Sequence, residues 1–451
     1  MALVIFLSNG DGLSLDLNPL IEVSLLVQII CEHLKISNNG ELFTLWLISP
    51  LLEIQLKPYH IPLTIRSNWE YLLKKYTNNI SQELSILDEP NLIFKRNIYN
   101  EFTIEKDIVD INVLRLLYED TIDSFSKLFY KIDHDLIIKI TSTIISIQLY
   151  NKNILAENND NVHLTKMKFW KVIPANLWNY IEFNFIPKRK WKNIFATPAD
   201  SNIMKEIIFE AQKNYKREHD PPNIIDLYKE FLFLCHSLPS YASVSFDGFI
   251  QTNFLNELNK DKLYHILVTI NIQCLTVIDI TRNEILLSLN YDDFSWDLCE
   301  MDKPYLIDKK MPSILLQVNN EVTPTFCRLN ETFCQTKIFV LYSKQAPLMD
   351  ALIESVVRIK EKNLSLDVPD HSNTDGENKI CIYSMELNKF ECYDVDSKGD
   401  ITEVKRVNRR VGPRKAESPP SENSLYPNFQ KKQIERATSY KLHGEDTSSN
   451  Y

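Results

Sequence analysis

The spacing of apolar residues changes period twice along this chain, and that order constrains the fold more than any other feature. Over residues 43–56, apolar and polar side chains alternate in two successive runs, which is the period of strands with one buried face. Over residues 114–129, apolar side chains recur every three or four positions, as on one face of a helix. Strand-like runs return over residues 243–341 and are followed by a helical pattern at 345–361. The sequence therefore predicts an α+β protein in the order strand-rich, helical, strand-rich.

The first region has a ubiquitin-like order of elements. Strands are predicted at 3–7 and 13–17, joined by Asn-Gly and Asp-Gly pairs that favour a hairpin turn. An apolar helical pattern follows, with Ser24 as its predicted N-terminal cap. The two alternating runs at 43–56 and a last strand at 92–94 complete the sheet.

The second region is predicted to be helical. The stretch 137–149 is rich in isoleucine and could form a strand by propensity alone, but the neighbouring pattern favours a helix. Lysine, serine, threonine and glutamine interrupt this stretch, so we do not expect it to span a membrane. Two further helices are predicted at 203–211 and 224–238.

Composition argues against an enzyme or a metalloprotein. The chain of 451 residues is long enough for about three domains. It has only 8 glycines, and it contains no P-loop, GxSxG, HExxH or kinase motif set. Its 8 cysteines are dispersed without a CxxC pair, which is typical of reduced thiols in a cytosolic protein. We therefore expect no catalytic residues, no metal and no cofactor.

Charge is distributed unevenly along the chain. The net charge is -10, but residues 401–451 hold ten Lys/Arg against six Asp/Glu, so this segment carries +4 and residues 1–400 carry -14. Nucleic-acid binding depends on clustered Lys and Arg that displace counterions. An acidic body therefore argues against nucleic acid as the main ligand.

Several strings along the chain resemble the FERM family, specifically its members that bind iRhom tails. These strings are LWLISPLLEIQLKP (45–58), VLRLLYED (113–120), LCHSLPSYA (234–242), FSWD (294–297), LYSKQAPLMDALIE (341–354) and, more weakly, YDVDSKGDITEVKRV (393–407). The resemblance implies a three-lobed module followed by a tail. The lobes are a ubiquitin-like β-grasp at 1–97, a helical bundle like acyl-CoA-binding protein at 108–240, and a pleckstrin-homology or phosphotyrosine-binding type barrel at 241–362.

The resemblance also implies a function. Such a protein is a non-catalytic adaptor in the cytoplasm, recruited to the inner face of the plasma membrane. It binds the cytoplasmic tail of an iRhom pseudoprotease and so stabilises the iRhom-sheddase complex at the cell surface. A family member in flies implies a second role, the restraint of Wnt signalling through the tail of the Wnt co-receptor.

A phosphoinositide-binding cortical linker is the alternative. FERM proteins of the ezrin type carry adjacent lysines after the strand tryptophan, whereas here Trp46 is followed by Leu47, Ile48, Ser49 and Pro50. This departure puts that lipid site in doubt. A basic run could instead face anionic lipid, or could be a solvated loop; its residues are Lys188, Arg189, Lys190 and Lys192.

The last helix of the third lobe, 345–361, is predicted to be amphipathic. Its inner stripe is Leu348, Leu352, Val356 and Ile359, and its solvent side carries Asp350, Glu354 and Arg358, the last two at a favourable i,i+4 spacing.

This helix and the strand edge beside it form the predicted peptide-binding groove. A barrel of this type leaves one edge open, where an extended peptide can add a strand. The candidate residues are Lys344, Leu348, Met349, Leu352 and Ile353. We expect Lys344, Met349 and Ile353 to contact a partner, whereas Leu348 and Leu352 could instead fill the core. Trp296 could anchor a partner but is expected in the core.

The tail at 363–451 is polar and is predicted to be mostly disordered. One island, 380–393, keeps enough aromatic and aliphatic residues to order on a partner or on the body. A basic island beside a serine could be regulatory, or could only keep the segment soluble; its residues are Lys405, Arg406, Arg409, Arg410 and Ser418.

Overall fold

The computed structural model describes most of the chain up to residue 366 and three short strands beyond it. The described residues are 2–36, 40–77, 87–125, 130–151, 173–185, 202–215, 223–251, 263–301, 311–318, 326–327, 337–366, 381–386, 389–395 and 401–402. They form a sheet with helices, then a helical bundle, then a second sheet with a long helix. This is the α+β, three-lobed architecture that the sequence predicts.

The first lobe is built on a mixed five-stranded sheet of strand order β2-β1-β5-β3-β4. Its strands are β1 Ala2–Leu7, β2 Gly12–Asp16, β3 Phe43–Ile48, β4 Glu53–Gln55 and β5 Asn91–Arg96. Only β1 and β5 run parallel, and the other neighbours are antiparallel. The first hairpin turns at Gly10, whose φ of 91° is one that glycine adopts without strain. This is the predicted β-grasp order.

Three helices accompany this sheet: α1 Val23–His33, α2 Pro62–Ser67 and α3 Trp69–Tyr76. The predicted cap at Ser24 is wrong, because Ser24 lies inside α1 and Glu22 holds the cap position. The early backbone N–H groups of α1 are satisfied from another segment instead. Val23 donates to the carbonyl of His60 at 2.9 Å, and Ser24 donates to that of Pro58 at 2.8 Å.

The second lobe contains five described helices, α4 Ile111–Ser124, α5 His134–Asn151, α6 Ala175–Phe185, α7 Asn202–Tyr215 and α8 Ile224–Cys235. The isoleucine-rich stretch forms α5, as predicted, and α6 was not predicted. Helix α5 is buried on several sides, since Ile137, Ile140, Ile144 and Ile145 are all 0% exposed. A helix that is apolar around most of its circumference belongs in the middle of a bundle.

The polar residues of α5 are satisfied within the helix. Thr141 donates to the carbonyl of Ile137 at 2.7 Å, and Ser146 donates to that of Ser142 at 3.0 Å. Bonds to the preceding turn allow small hydroxyl residues to be buried without unpaired groups. Among the described residues, no helix is long and apolar enough to cross a membrane.

The third lobe is an antiparallel sheet with one long helix. Its elements are β6 Val244–Gln251, β7 Leu263–Ile270, β8 Cys274–Asp279, β9 Glu284–Asn290, β10 Phe294–Met301, β11 Met311–Val318, β12 Phe326–Cys327, β13 Lys337–Tyr342 and α9 Ala346–Leu366. The strand order is β10-β11-β13-β6-β7-β8-β9-β12. Helix α9 ends five residues beyond its predicted end at residue 361. It packs against β10 and β11.

Three strands lie in the segment that was predicted to be mostly disordered. They are β14 Cys381–Glu386, β15 Lys389–Val395 and β16 Ile401–Thr402, and they form an antiparallel sheet of their own. This sheet includes the ordered island predicted at 380–393 and extends to Thr402. Apart from these strands and the last turn of α9, residues 363–451 lie outside the described part of the chain.

The buried position of α5 gives the first prediction. Replacing Ile144 with Ala removes side-chain volume from a site that is 0% exposed. We expect the free energy of unfolding to fall by about 2–5 kcal/mol, because a cavity remains where neighbours cannot collapse. Urea unfolding followed by circular dichroism measures this change.

The matched control is Phe209→Ala on α7, where the side chain is 69% exposed. A surface substitution of this kind should change the free energy of unfolding by no more than about 0.5 kcal/mol. Equal effects of the two substitutions would contradict the central position of α5.

Candidate peptide-docking site

Strand β10 forms one edge of the third-lobe sheet. In the described part of the chain it pairs only with β11, from Phe294 opposite Val318 to Met301 opposite Met311. Its side chains alternate. Phe294 and Trp296 are buried, whereas Ser295 and Asp297 are partly exposed. The strand is thus fixed to the core on one face, and its other backbone edge has no strand partner among the described residues.

Helix α9 is joined to this edge strand by a hydrogen bond. The indole Nε1 of Trp296 donates to Oδ1 of Asp350 at 3.0 Å. Trp296 is 6% exposed, which confirms the expectation that it lies in the core. Asp350 was predicted to stand on the solvent side of α9, and it is partly exposed there while its carboxylate accepts this bond.

The beginning of α9 is held on strand β6. Ser343 Oγ accepts from the backbone N–H of Gln345 at 3.0 Å, and the Gln345 side chain accepts from the N–H of Asp247 at 3.0 Å. The backbones approach closely here, since a Cβ on Gly248 would lie 2.8 Å from the carbonyl oxygen of Tyr342. Because Gly248 has no side chain, the backbone of β6 can lie this close to Tyr342, at the end of β13.

The structure revises the predicted groove residues. Met349 and Ile353 are 1% and 0% exposed, so they fill the core and are not available to a partner in this conformation. Leu352, at 8% exposed, is also buried. Lys344 is partly exposed and remains a candidate for the groove. Leu348 is partly exposed as well, but it lies two positions from Asp350 and therefore on the flank of α9 that faces away from β10.

The inner face of α9 is rotated from the predicted one. The prediction placed Leu348, Leu352, Val356 and Ile359 on the inner stripe, whereas the most deeply buried positions include Met349, Ile353 and Val356. The apolar surface of α9 is wide, so the pattern does not show which part of it is central. The predicted pair of Glu354 and Arg358 is present at 3.0 Å, with side chains only 15% and 11% exposed.

A buried carboxylate connects the third lobe to the other two. Glu105 lies in a short 3-10 helix, Phe102–Asp107. Its carboxylate pairs with Arg96 Nη1 of β5 and with Nε2 of His236, directly after α8, the latter at 3.0 Å. It also accepts a hydrogen bond from the hydroxyl of Tyr241, in the segment leading into β6. One side chain therefore contacts a strand of the first lobe, the residue after the last helix of the second, and the segment that leads into the third.

Arg96 is the main partner of Glu105 and is itself enclosed. The guanidinium lies 4.4 Å from the centre of the Tyr241 ring, and its Nε lies 3.7 Å from Oδ2 of Asp120. The backbone carbonyl of Arg96 accepts from Nε1 of Trp46 at 3.0 Å. We call Arg96, Glu105, Asp120, His236 and Tyr241 the junction cluster.

The charges of the junction cluster shift one another's pKa values. Burial by itself raises the pKa of Glu105, but the charge of Arg96 and the bonds from His236 and Tyr241 more than offset this. The net pKa of Glu105 is lowered, so this carboxylate is held in its charged form. Burial likewise disfavours the charged form of Lys95, but the pKa of Lys95 is raised overall by Asp120 and Asp123.

A narrow cleft opens beside the junction cluster. It is lined by residues of the first lobe, such as Lys95 and Arg96, and of the segment 240–245. Its cavity volume of about 20 Å³ has room for a water molecule. Pockets that hold small-molecule ligands have volumes of about 300–1,000 Å³, so this cleft is not such a pocket.

Other predicted site residues fall outside the described part of the chain. The basic patch of Lys188, Arg189, Lys190 and Lys192 lies there, as does the regulatory island of Lys405, Arg406, Arg409, Arg410 and Ser418. Within the described residues, no group of three or more His, Cys, Asp or Glu side chains is arranged to hold a metal ion.

Sequence reasoning missed the junction cluster and the bond between Trp296 and Asp350. The members of the junction cluster are separated by up to 145 positions, from residue 96 to residue 241, and no local pattern relates them. One available signal was Arg96, a charged residue at the end of an otherwise strand-like run. Such a residue, when buried, requires a partner.

Curated proteins similar to this chain are called FERM domain-containing protein 8. The Xenopus laevis protein is 27% identical over 404 residues, which span 87% of this chain and 82% of the relative. The Homo sapiens protein is 27% identical over 325 residues, which span 71% of this chain and 65% of the relative. No family model matches the chain.

Solved structures similar to this chain also contain FERM domains. One is the human Myosin 7b C-terminal MyTH4-FERM domain in complex with the harmonin-a PDZ3 domain, at 15% identity and a TM-score of 0.47, covering 79% of this chain and 60% of that one. Another is the complex of the FERM and C-terminal domains of Drosophila Merlin, at 11% identity and a TM-score of 0.46. The match covers 81% of this chain and 98% of the Merlin chain.

The junction cluster gives the second prediction. Replacing Glu105 with Ala leaves the Arg96 guanidinium buried without its nearest carboxylate. We expect the free energy of unfolding to fall by about 3–5 kcal/mol, the usual cost of an uncompensated buried charge. Asp107→Ala in the same 3-10 helix is the control, because Asp107 is exposed, and it should cost at most about 0.5 kcal/mol.

The lowered pKa of Glu105 gives the third prediction, which compares the wild-type chain with Glu105→Gln across pH. A carboxylate whose pKa is lowered by folding contributes stability above its unfolded pKa of about 4.3 and loses it as pH falls through the folded pKa. The wild type should therefore exceed Glu105→Gln in free energy of unfolding by the full difference at pH 7, and this difference should shrink below about pH 4.3. Urea midpoints at a series of pH values measure it, and a constant difference would contradict the charged pairing.

Proposed function

We propose, starting from the similarity to FERM domain-containing protein 8, that this chain is a non-catalytic FERM adaptor that binds the cytoplasmic tail of a transmembrane protein. An iRhom pseudoprotease is the first candidate partner, with stabilisation of the iRhom-sheddase complex at the cell surface as the result. The lobes in this proposal are 1–97, 108–240 and 241–362. The chain would act in the cytoplasm, at the inner face of the plasma membrane.

The observation that carries the proposal is the open edge of β10 beside α9. An extended peptide that adds a strand to a sheet edge gains backbone hydrogen bonds along its length, and its side chains reach the neighbouring helix. Here β10 is held rigidly to the core through Phe294 and Trp296, and α9 is fixed beside it through Asp350. A preformed edge limits the ordering cost of binding, because the peptide alone must become ordered.

Of the residues that sequence analysis favoured, only Lys344 remains in the proposed contact surface. Val357 offers a partly exposed apolar surface on the flank of α9 that also carries Asp350, because positions seven apart share a helix face, and Lys344 lies just before that helix. Ser295 and Asp297 are partly exposed on the edge strand. We propose these four residues as the contact surface, supported from below by Met349 and Ile353.

Two other functions are outcomes that the same experiment can detect. The tail bound could be that of the Wnt co-receptor, which would make the chain a negative regulator of Wnt signalling. The principal ligand could instead be phosphoinositide, which would make the chain a cortical linker at the membrane. Binding to anionic liposomes that falls steeply with salt, with no peptide binding, would favour the linker.

The fourth prediction tests the groove with the full chain and an immobilised iRhom cytoplasmic tail. Replacing Val357 with Glu places a charge on the proposed apolar wall of the groove. We expect the dissociation constant to rise about tenfold or more, which corresponds to about 1.4 kcal/mol. Surface plasmon resonance at physiological salt measures it.

Phe209→Glu is the control, since Phe209 is exposed on α7 in another lobe and should leave the affinity unchanged within about twofold. Thermal unfolding of both variants establishes that they remain folded. An iRhom tail that fails to bind the wild-type chain would contradict the proposed partner. A tail that binds the wild type and Val357→Glu equally would contradict the proposed groove.

A further inference from the structure

The long helix of the third lobe, α9, is less exposed than a helix on the surface of a lobe should be. Over residues 346–360, where the exposure of α9 is described, no residue is fully exposed, and Ser355 is only 2% exposed. Helix α1, which also packs on a sheet, leaves Ser24, Gln28 and Glu32 exposed. A helix that packs one face on a sheet normally has its opposite face in water. Something therefore covers α9 on the side away from its own sheet.

Helix geometry identifies the covered side. Positions two apart on an α-helix differ by about 200°, so Ala351 lies opposite Met349 and Ile353, and Arg358 lies opposite Val356. The three apolar residues fill the core at 0–1% exposure. Nevertheless, the side chain of Arg358 is only 11% exposed, and Ala351 is only partly exposed. We call the side that carries Ala351 and Arg358 the outer face of α9.

The β14–β16 sheet lies against this helix. Helix α9 packs on β7, β10 and β11 of its own lobe, and β15 contacts it from outside that lobe. Residues 367–380 connect the end of α9 to β14, and so short a connection holds the sheet near the helix at a high effective concentration. The outer face is the part of α9 that its own lobe leaves free, and it is the place where this sheet fits.

The β14–β16 sheet has one apolar face. Residues that are opposite each other in the β14–β15 register share a face, and the faces alternate along each strand. One face holds Tyr383, Met385, Phe390 and Cys392, and the other holds Ser384, Glu386, Lys389 and Glu391. The third strand, β16, has only two residues. A sheet this small needs a helix to pack against if it is to be stable.

We propose that the β14–β16 sheet packs on the outer face of α9 and braces the helix against β10. With the core on one side and this sheet on the other, α9 is enclosed and is held at a fixed distance from β10. The flank that carries Asp350 and Val357 lies about 100° from the outer face, so a brace on the outer face leaves the groove free. The consequence for peptide binding rests on the proposed function.

The packing is tested with the full chain and hydrogen–deuterium exchange measured by mass spectrometry. The test variant is Met385→Ser with Phe390→Ser, on the apolar face of the β14–β16 sheet. The matched control is Glu386→Ser with Glu391→Ser, which changes the same two strands on the polar face. Exchange is followed over residues 346–360 of α9 and, as an internal reference, over α5.

We expect the amides of residues 346–360 to exchange about tenfold faster or more in the test variant, because lost packing lowers the free energy of local opening. In the control variant the change should be less than about twofold, and α5 should exchange at the wild-type rate in both variants. Unchanged exchange in α9 would overturn the inference. Equal acceleration in α9 and α5 would overturn it as well, because it would indicate a general loss of stability.

The affinity for an immobilised iRhom tail tests the consequence of the brace. The test variant should bind about threefold more weakly or worse, because a smaller fraction of molecules has α9 in the binding position. The control variant should bind as the wild type does. Equal or tighter binding by the test variant would overturn the brace, and tighter binding would indicate a sheet that obstructs the groove. An iRhom tail that binds none of the forms rejects that partner, whereas the exchange result decides the packing without any partner.

Discussion

The arrangement of the three lobes depends on the pairing of Arg96 with Glu105. A buried arginine and a buried glutamate are each costly to remove from water, and together they are stable only where their geometry is fixed. Here His236 and Tyr241 satisfy one oxygen of Glu105, while Arg96 satisfies the other. Because these partners come from different lobes, the electrostatic requirement of one carboxylate also sets where the lobes meet.

The candidate docking edge benefits from this arrangement. Tyr241 leads directly into β6, and β6 holds the beginning of α9 through Gln345. The start of α9 is therefore joined to the junction cluster by the short chain segment from Tyr241 to Asp247 and the hydrogen bond from Asp247 to Gln345.

Much of the fold could be predicted because its signals are local. The β-grasp order followed from alternating runs and the turn at Gly10, and α5 followed from its neighbours despite its β-branched residues. The cap at Ser24 could not be predicted correctly, because the carbonyls that satisfy the start of α1 come from residues 58 and 60. Short-range patterns do not record such contacts.

The candidate docking site could be predicted only in part from the sequence pattern. Periodicity identified α9 as amphipathic, but its apolar surface is too wide to fix the rotation of the helix, so Met349 and Ile353 were assigned to the wrong side. The rotation is set by tertiary contacts, including the bond from Trp296 to Asp350.

That bond also gives the molecule an optical signal of its own. The indole of Trp296 is 6% exposed and donates to a carboxylate on the neighbouring helix, so its emission depends on the distance between β10 and α9. Any event that separates the helix from the strand removes the carboxylate from the indole and admits water. The groove therefore contains a natural fluorophore at the point where it would open. Because the chain has 6 tryptophans, its contribution is the difference between the emission of the wild type and that of Trp296→Phe.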